Sequence, residues 1–178
     1  DPNRIYTMAA SIDPDGKNGG PLLQTLATNR SSFFGRLTYT TMPEQLQNRG
    51  VSWKVYSSPD QNLNGFFADN VLSYFKNFQD PSSPLHQHAF GPTFPVDFLA
   101  DALAGNLPQV SWVLASIVQS DHPPAPSLFG ENTLSGIISA LTANPSLWAK
   151  TVLFATYDEN GGFFDHVPPI TAPPGTPG

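Results

Sequence analysis

Residues 151–167 read TVLFATYDENGGFFDHV, and this stretch decides how the rest of the chain is interpreted. Its first five residues are apolar, rich in large and β-branched side chains and too few for a helix, so they predict a buried strand. Asp158 and Glu159 follow, at the carboxyl end of that strand, where open α/β sheets gather ligands and metal ions. Gly161 and Gly162 allow a sharp turn and a close approach of backbone to a bound group. We interpret the segment as half of an active site.

The alternative for the DENGG string is an ordinary solvated turn, because Asp, Asn and Gly are the residues that turns prefer. A second segment favours the active-site interpretation. Residues 111–115, SWVLA, predict another buried strand, and residues 120–124, SDHPP, follow it closely. Two strands that each lead to acidic and histidine residues fit one converging site better than two unrelated loops.

The rest of the chain predicts alternating helices and strands without an internal repeat, and the 19 prolines fall mostly in connecting loops. Helices are expected where apolar residues recur at helical spacing, and strands where short apolar runs stand between turn residues. We predict helices at 42–49, 69–78, 95–104, 132–143 and 145–149, and strands at 5–10, 51–56, 110–115 and 151–155.

The composition limits the classes of function. A chain of 178 residues suits about one domain or a large part of one, and 39% hydrophobic residues with 13 Phe can build a substantial core. The absence of Cys excludes disulfides, Cys-ligated zinc and thiol catalysis. A net charge of −6 with only 8 Lys plus Arg argues against nucleic acid as a partner and against docking onto anionic lipid. No apolar run in the sequence is long enough to predict a transmembrane segment.

Asp158 and Glu159 with the glycine pair, the DHVPP string at 165–169 and the SDHP string at 120–123 together resemble the bacterial phospholipase C family. The resemblance is greatest to the mycobacterial type. It implies a three-layer α/β sandwich of the alkaline-phosphatase-like type, incomplete at both ends, with residues 1–178 forming part of one phosphoesterase catalytic domain. The likeness extends along nearly the whole chain through VSWKVY (51–56), PQVSW (108–112) and ANP (143–145).

The resemblance also implies a function and roles for four residues. Members of the family hydrolyse phosphatidylcholine-like phospholipids at a membrane surface to diacylglycerol and phosphocholine, and the enzyme is expected to be secreted or associated with the cell envelope. The matching positions bind a divalent metal ion, so Asp158 and Glu159 are the candidate metal ligands. His122 is the candidate for phosphate contact or for protonating the diacylglycerol oxygen, with Asp121 setting its tautomer and charge. The alternative for His122 is a loop-stiffening residue before two prolines.

Family members carry a Glu-Asn metal-ligand motif near their start, and a Thr or Ser nucleophile immediately before a Pro-Asn-Arg-like segment, here residues 2–4. We therefore expect the nucleophile just upstream of Asp1, and the chain to be an internal fragment that is inactive by itself. We also expect it to aggregate, because missing strands would leave unpaired sheet edges. Two alternatives stay open: an acid phosphatase-type phosphomonoesterase on the same fold, and a non-catalytic surface or antigenic segment.

Four further patterns are interpreted as structural. Residues 165–166, Asp-His, are expected to shape their loop rather than to act in catalysis. His86 and His88 are expected in a solvent-exposed loop. Residues 13–18 contain acidic and amide side chains around a glycine, but the spacing does not match a calcium-binding loop, so a turn is expected. The aromatic series within 66–78 is expected to be mostly core rather than an acyl or choline pocket.

Overall fold

A computed structural model describes residues 2–23, 30–58 and 70–168 of the chain. Within these ranges the secondary structure is mixed, and short helices alternate with two strands. The helices and strands are α1 (Pro2–Ala9), α2 (Met42–Asn48), β1 (Trp53–Ser57), α3 (Pro84–Phe90), α4 (Val96–Ala104), β2 (Val110–Leu114), α5 (Leu128–Thr142) and α6 (Pro145–Trp148). Single 3-10 turns lie at Arg30–Phe33, Val71–Tyr74, Lys76–Phe78 and Ile117–Gln119.

The two strands form a small parallel sheet. They pair in register from Trp53 opposite Val110 to Ser57 opposite Leu114. A parallel pair needs a long crossover connection, and here the connection contains α3 and α4. The α/β class is thus confirmed, whereas the larger three-layer sandwich stays a prediction.

The buried side chains form two clusters on either side of the sheet residues. In the first, the Trp53 ring packs edge-on against Phe78 and Trp112, with centroids 6.4 Å away in both cases. In the second, the Tyr56 ring packs edge-on against Phe98 on α4. Aromatic rings bury large areas, so they dominate the energetics of both clusters.

The aromatic series within 66–78 is core where it can be described, as expected. Tyr74, Phe75 and Phe78 are fully buried. Phe66 and Phe67 lie outside the described residues. None of the described helices is long and apolar enough to cross a membrane.

Most predicted helices and both central strands are confirmed, because their local signals are strong. Thr41 caps α2 through a reciprocal capping box with Glu44, and Pro43 stands in the first turn. Gly105 ends α4 in the left-handed conformation, with a φ of 71°, which glycine adopts without strain. Helix α5 begins at Leu128, four residues earlier than the predicted 132.

Two predictions of secondary structure before residue 80 are wrong, and one helix was missed. Residues 5–10 were expected to form a strand, but they belong mostly to α1, because Ile5 and Met8 are buried three residues apart on one helical face. The predicted helix at 69–78 is replaced by two 3-10 turns on either side of Phe75, whose backbone is extended. Helix α3 was not predicted, although Ser83 caps it and Pro84 opens it.

The largest difference concerns residues 151–155. These residues do not form a strand, and no described strand pairs with them. Val152 is 76% exposed and Phe154 is 86% exposed. The predicted buried strand is therefore wrong for this structure. Burial of an apolar run requires a neighbouring surface, and the described part of the chain does not place one here.

Candidate functional site

The two loops that the sequence singled out are in contact. The Tyr157 hydroxyl donates a hydrogen bond of 2.8 Å to Oδ2 of Asp121. On the same side, a Cβ placed on Gly161 would lie 3.4 Å from Cδ of Pro123. The loop after β2 and the loop after residue 155 therefore meet, although the second does not emerge from a paired strand.

Asp121 is fixed by contacts that the sequence did not reveal. Oδ2 accepts from Tyr157, whereas Oδ1 is buried without a hydrogen-bond partner among the described residues. A Cβ placed on Gly130, in the first turn of α5, would stand only 2.1 Å from Oδ1. Any other residue at 130 would displace the carboxylate, so the glycine is what admits Asp121 to this position. The hydrogen bond to Asp121 and its charge raise the pKa of the Tyr157 hydroxyl.

His122 is exposed, and a backbone carbonyl holds its ring. Nδ1 lies 2.7 Å from the Pro123 carbonyl oxygen. A carbonyl only accepts, so Nδ1 carries the hydrogen, and Nε2 is the nitrogen left to face a ligand. The expectation that Asp121 sets this tautomer does not match the geometry, because Asp121 bonds to Tyr157 instead. The catalytic role of His122 itself stays a prediction.

Asp158 is held by the beginning of the chain. Its Oδ2 accepts a hydrogen bond of 2.7 Å from Nε of Arg4, and its backbone carbonyl accepts from Nδ2 of Asn3. Partial burial raises the pKa of Asp158, but the hydrogen bond and the charge of Arg4 outweigh it, so the pKa lies below its ordinary value. Asp158 is therefore ionised near neutral pH, and α1 delivers its counter-charge.

Glu159 turns its carboxylate into its own loop, where Oε2 accepts from the backbone N–H of Gly161 at 2.7 Å. Carboxylate oxygens are the donors that hard divalent cations prefer, so Asp158 and Glu159 suit a metal ion in kind. They do not suffice in number. Within residues 2–23, 30–58 and 70–168, no group of three or more His, Asp or Glu side chains is placed to hold a metal ion. The described residues therefore offer two possible metal ligands, Asp158 and Glu159, without a third beside them.

The other polar motifs are mostly structural. Asp165 accepts a hydrogen bond from the backbone N–H of Val167, so its carboxylate shapes the loop as expected. Asp13 does the same in its turn, where it accepts from the backbone N–H groups of Asn18 and Gly20. The turn expected at residues 13–18 is confirmed.

The expected exposed loop at His86 and His88 is wrong. Both side chains are half-buried on α3. Nδ1 of His86 lies 2.7 Å from the Phe78 carbonyl, and the His88 ring stands edge-on to Trp53 with centroids 5.2 Å apart. Ser83 caps α3 and Pro84 is its first residue, a pair that is typical of a helix start and not of an exposed loop.

Sequence reasoning missed three residues of the site: Arg4, Gly130 and Tyr157. Gly130 lies outside the helix predicted at 132–143, and only the observed start of α5 at Leu128 makes it a glycine inside a helix, which costs about 1 kcal/mol relative to Ala. Tyr157 stands next to the carboxylate pair, but nothing local indicates its partner. Arg4 is 154 residues away from Asp158 in the sequence.

These observations describe an α/β protein in which the loop of Asp121 and His122 contacts the loop of Asp158 and Glu159 through Tyr157. A sequence profile of the Phosphoesterase family matches residues 1–178, which is the whole chain. The chain belongs to the Phosphoesterase family.

Curated relatives carry more specific names. Phospholipase C A of Mycobacterium tuberculosis is 44% identical over 181 residues, an alignment that covers 99% of this chain and 34% of that protein. The non-hemolytic phospholipase C of Pseudomonas aeruginosa is 40% identical over 176 residues, covering 97% and 25%. The hemolytic phospholipase C of the same organism is 32% identical over 193 residues, covering 94% and 26%. The chain thus spans about a third of the length of the mycobacterial relative, and the resemblance to the mycobacterial type is confirmed.

Proposed function

We propose that the full-length protein that contains this chain is a phospholipase C, a phosphoric diester hydrolase. Its substrates are phosphatidylcholine-like phospholipids at a membrane surface, and its products are diacylglycerol and phosphocholine. The main support is the identity to proteins named phospholipase C over nearly the whole chain. The structure supports the proposal through the hydrogen bond from Tyr157 to Asp121, because this bond joins the two loops that bear the candidate residues.

In this proposal His122 acts as the acid. Its Nδ1–H is engaged by the Pro123 carbonyl, so Nε2 is the atom that contacts the phosphoryl group or passes a proton to the leaving diacylglycerol oxygen. Asp121 is the residue before the histidine, and its hydrogen bond from Tyr157 anchors the loop that carries the ring. The nucleophile is a Thr or Ser upstream of Asp1. Asn3 and Arg4 contact Asp158, which agrees with a nucleophile close to the start of this chain.

A divalent cation would neutralise charge on the phosphoryl oxygens and on the attacking group. Asp158 and Glu159 would supply two of its oxygen ligands, and the remaining ligands would come from outside this chain. The cation would compete with Arg4 for the Asp158 carboxylate. The same proposal includes the three-layer sandwich as the complete fold and a secreted or envelope-associated location.

The experiment uses the full-length protein and two variants, Asp158→Asn and His122→Ala. Phosphocholine release from phosphatidylcholine is measured together with bound metal. We expect Asp158→Asn to lose both metal and turnover. We expect His122→Ala to keep the metal and to lose turnover by about 10²–10⁴-fold, the usual contribution of a general acid.

Matched controls lie in the same loop region. Asp165→Asn and His166→Ala make the same chemical changes a few residues away, and both should keep near-normal turnover. If Asp158→Asn and His122→Ala also keep near-normal turnover, the site assignment is wrong. Release of inorganic phosphate from monoesters, without phosphocholine from phosphatidylcholine, would replace the proposal by a phosphomonoesterase. Lipid binding without any turnover would favour a non-catalytic surface segment.

A further inference from the structure

A cavity of about 280 Å³ opens between α4, α5 and the 3-10 turn Ile117–Gln119. Its volume lies near the lower end of the ~300–1,000 Å³ that is usual for small-molecule sites. The lining is apolar apart from three neutral polar residues, and no charged side chain contributes to it. The lining residues are Phe94, Pro95, Leu99, Val118, Gln119, Phe129, Asn132, Thr133 and Gly136.

The cavity adjoins the candidate catalytic residues. Phe129 lines it, and the next residue, Gly130, is the one against which the Asp121 carboxylate packs. Gln119 also lines it, two residues before Asp121 in the loop that follows β2. In the first turn of α5, Phe129 therefore faces the cavity, and the next residue, Gly130, lies against Asp121.

Two apolar residues that line the cavity are exposed to solvent, Val118 by 56% and Phe129 by 39%. Their chain neighbours Ile117 and Leu128 are also exposed. Single exposed apolar residues are ordinary on protein surfaces, but several close together indicate an interaction site. The cavity has no charged lining residue and the chain carries a net charge of −6, so the cavity does not suit a ligand that binds through negative charge.

We propose that this cavity receives an acyl chain of the substrate while the phosphate lies at His122. The identity of the occupant rests on the proposed function, since a phospholipase C acts on a molecule that joins a phosphodiester to acyl chains. An uncharged apolar cavity next to an acidic and histidine pair matches those two parts of the molecule. Each buried methylene contributes about 0.8 kcal/mol, so the cavity would select for substrates with acyl chains.

Gly136 provides a test that adds bulk to the cavity wall without disturbing the core. It lines the cavity at an exposed position on α5, and a Cβ placed on it meets nothing within 4 Å. Gly136→Leu therefore adds a side chain at the cavity without a clash, and Leu is a better helix former than Gly. Ser135→Leu is the matched control, because it adds the same side chain to the exposed neighbouring position, which does not line the cavity.

Two readouts on the full-length protein separate this inference from the proposed function. The first is the binding of 1,2-dihexanoylglycerol, measured by calorimetry without any turnover. The second is the ratio of kcat/KM for dihexanoyl phosphatidylcholine to kcat/KM for p-nitrophenyl phosphorylcholine, which has no acyl chain. We expect Gly136→Leu to weaken the binding and to lower the ratio, each by about tenfold or more, as the exclusion of two methylenes implies. Ser135→Leu should leave both near the wild-type values.

Each outcome is decisive. If the wild type does not bind dihexanoylglycerol, or if Gly136→Leu binds it as well as the wild type, the acyl site is wrong. If phosphatidylcholine is hydrolysed and Gly136→Leu leaves the ratio unchanged, the acyl site is wrong and the proposed function stands. If no diester is hydrolysed but Gly136→Leu still abolishes binding, the apolar-chain site stands and the proposed function fails.

Discussion

Strand β1 and the segment 151–155 are both predicted as strands but lie in opposite environments. Residues 151–155 are the more apolar of the two, whereas β1 contains Lys54 and Ser57 among its large apolar residues. β1 is almost completely buried, with β2 along one edge and α3 packed against it. Segment 151–155 is largely exposed, and no described strand lies beside it. The comparison teaches that an apolar pattern predicts an extended, sheet-compatible conformation, whereas burial depends on a partner elsewhere in the chain.

The largest expected effect concerns the buried region. Trp53→Ala removes a side chain that packs against three aromatic rings, those of Phe78, His88 and Trp112. We expect the free energy of unfolding to fall by about 3–5 kcal/mol, as is usual for a buried Trp replaced by Ala. Urea denaturation followed by far-UV circular dichroism measures it. A loss below about 1 kcal/mol, the size of an average point substitution, would contradict the fold described for β1.

The next comparison uses two tyrosines that each donate to an aspartate. Tyr56 is fully buried and donates to the partly exposed Asp101 at 2.6 Å, whereas Tyr157 is exposed and donates to Asp121 at 2.8 Å. Tyr56→Phe should destabilise the protein by about 1–2 kcal/mol, because the hydrogen bond reaches a charged group and its donor is buried. Tyr157→Phe should change the stability by less than about 0.5 kcal/mol. If parallel urea titrations show that Tyr56→Phe and Tyr157→Phe lower the free energy of unfolding equally, the buried and the exposed region do not differ in this respect.

A pH dependence is expected from the ion pair of Arg4 and Asp158. The pKa of Asp158 is lowered in the folded protein, so the pair stabilises above the unfolded pKa of 3.8 and the contribution disappears as the pH falls through the folded pKa. Both side chains are partly exposed, which limits the effect to about 1 kcal/mol or less. Arg4→Gln should therefore lower the urea midpoint at neutral pH, and this effect should shrink as the pH falls below the unfolded pKa and disappear below the folded pKa.

The matched control for Arg4→Gln is Lys17→Gln, which removes an exposed ion pair with Asp15. It should leave the urea midpoint nearly unchanged at every pH. If Arg4→Gln has the same effect at low and neutral pH, Arg4 acts through packing and not through the charge of Asp158.

The smallest effect is expected in the exposed segment. Phe154→Ala should change the free energy of unfolding by no more than about 0.5 kcal/mol, because the ring has little contact to lose. The same urea titration as for Trp53→Ala checks it. A loss comparable to that of Trp53→Ala would show that a partner covers this segment in solution, and the contrast with β1 would then disappear.

The sequence indicated four candidate residues of the site, but not the contacts that those residues make. Asp121, His122, Asp158 and Glu159 stand out in the sequence, because acidic residues and histidine follow apolar runs. The meeting of their two loops was expected from that arrangement. Local patterns did not indicate that Tyr157 would hold Asp121, or that the Pro123 carbonyl would hold His122. The roles of the four residues stay predictions that the proposed variants test.

The sequence by itself determined the features that depend on neighbours a few residues apart. These include the capping box that starts α2, the glycine that ends α4, the extended conformation of β1 and β2 and the motifs that indicate the family. The tertiary structure alone decided the exposure of segment 151–155 and the partners of Asp121 and Asp158. The physical reason is distance along the chain. A cap is satisfied within one helical turn, whereas Asp121 and Tyr157 are 36 residues apart, and only the path of the folded chain brings such groups together.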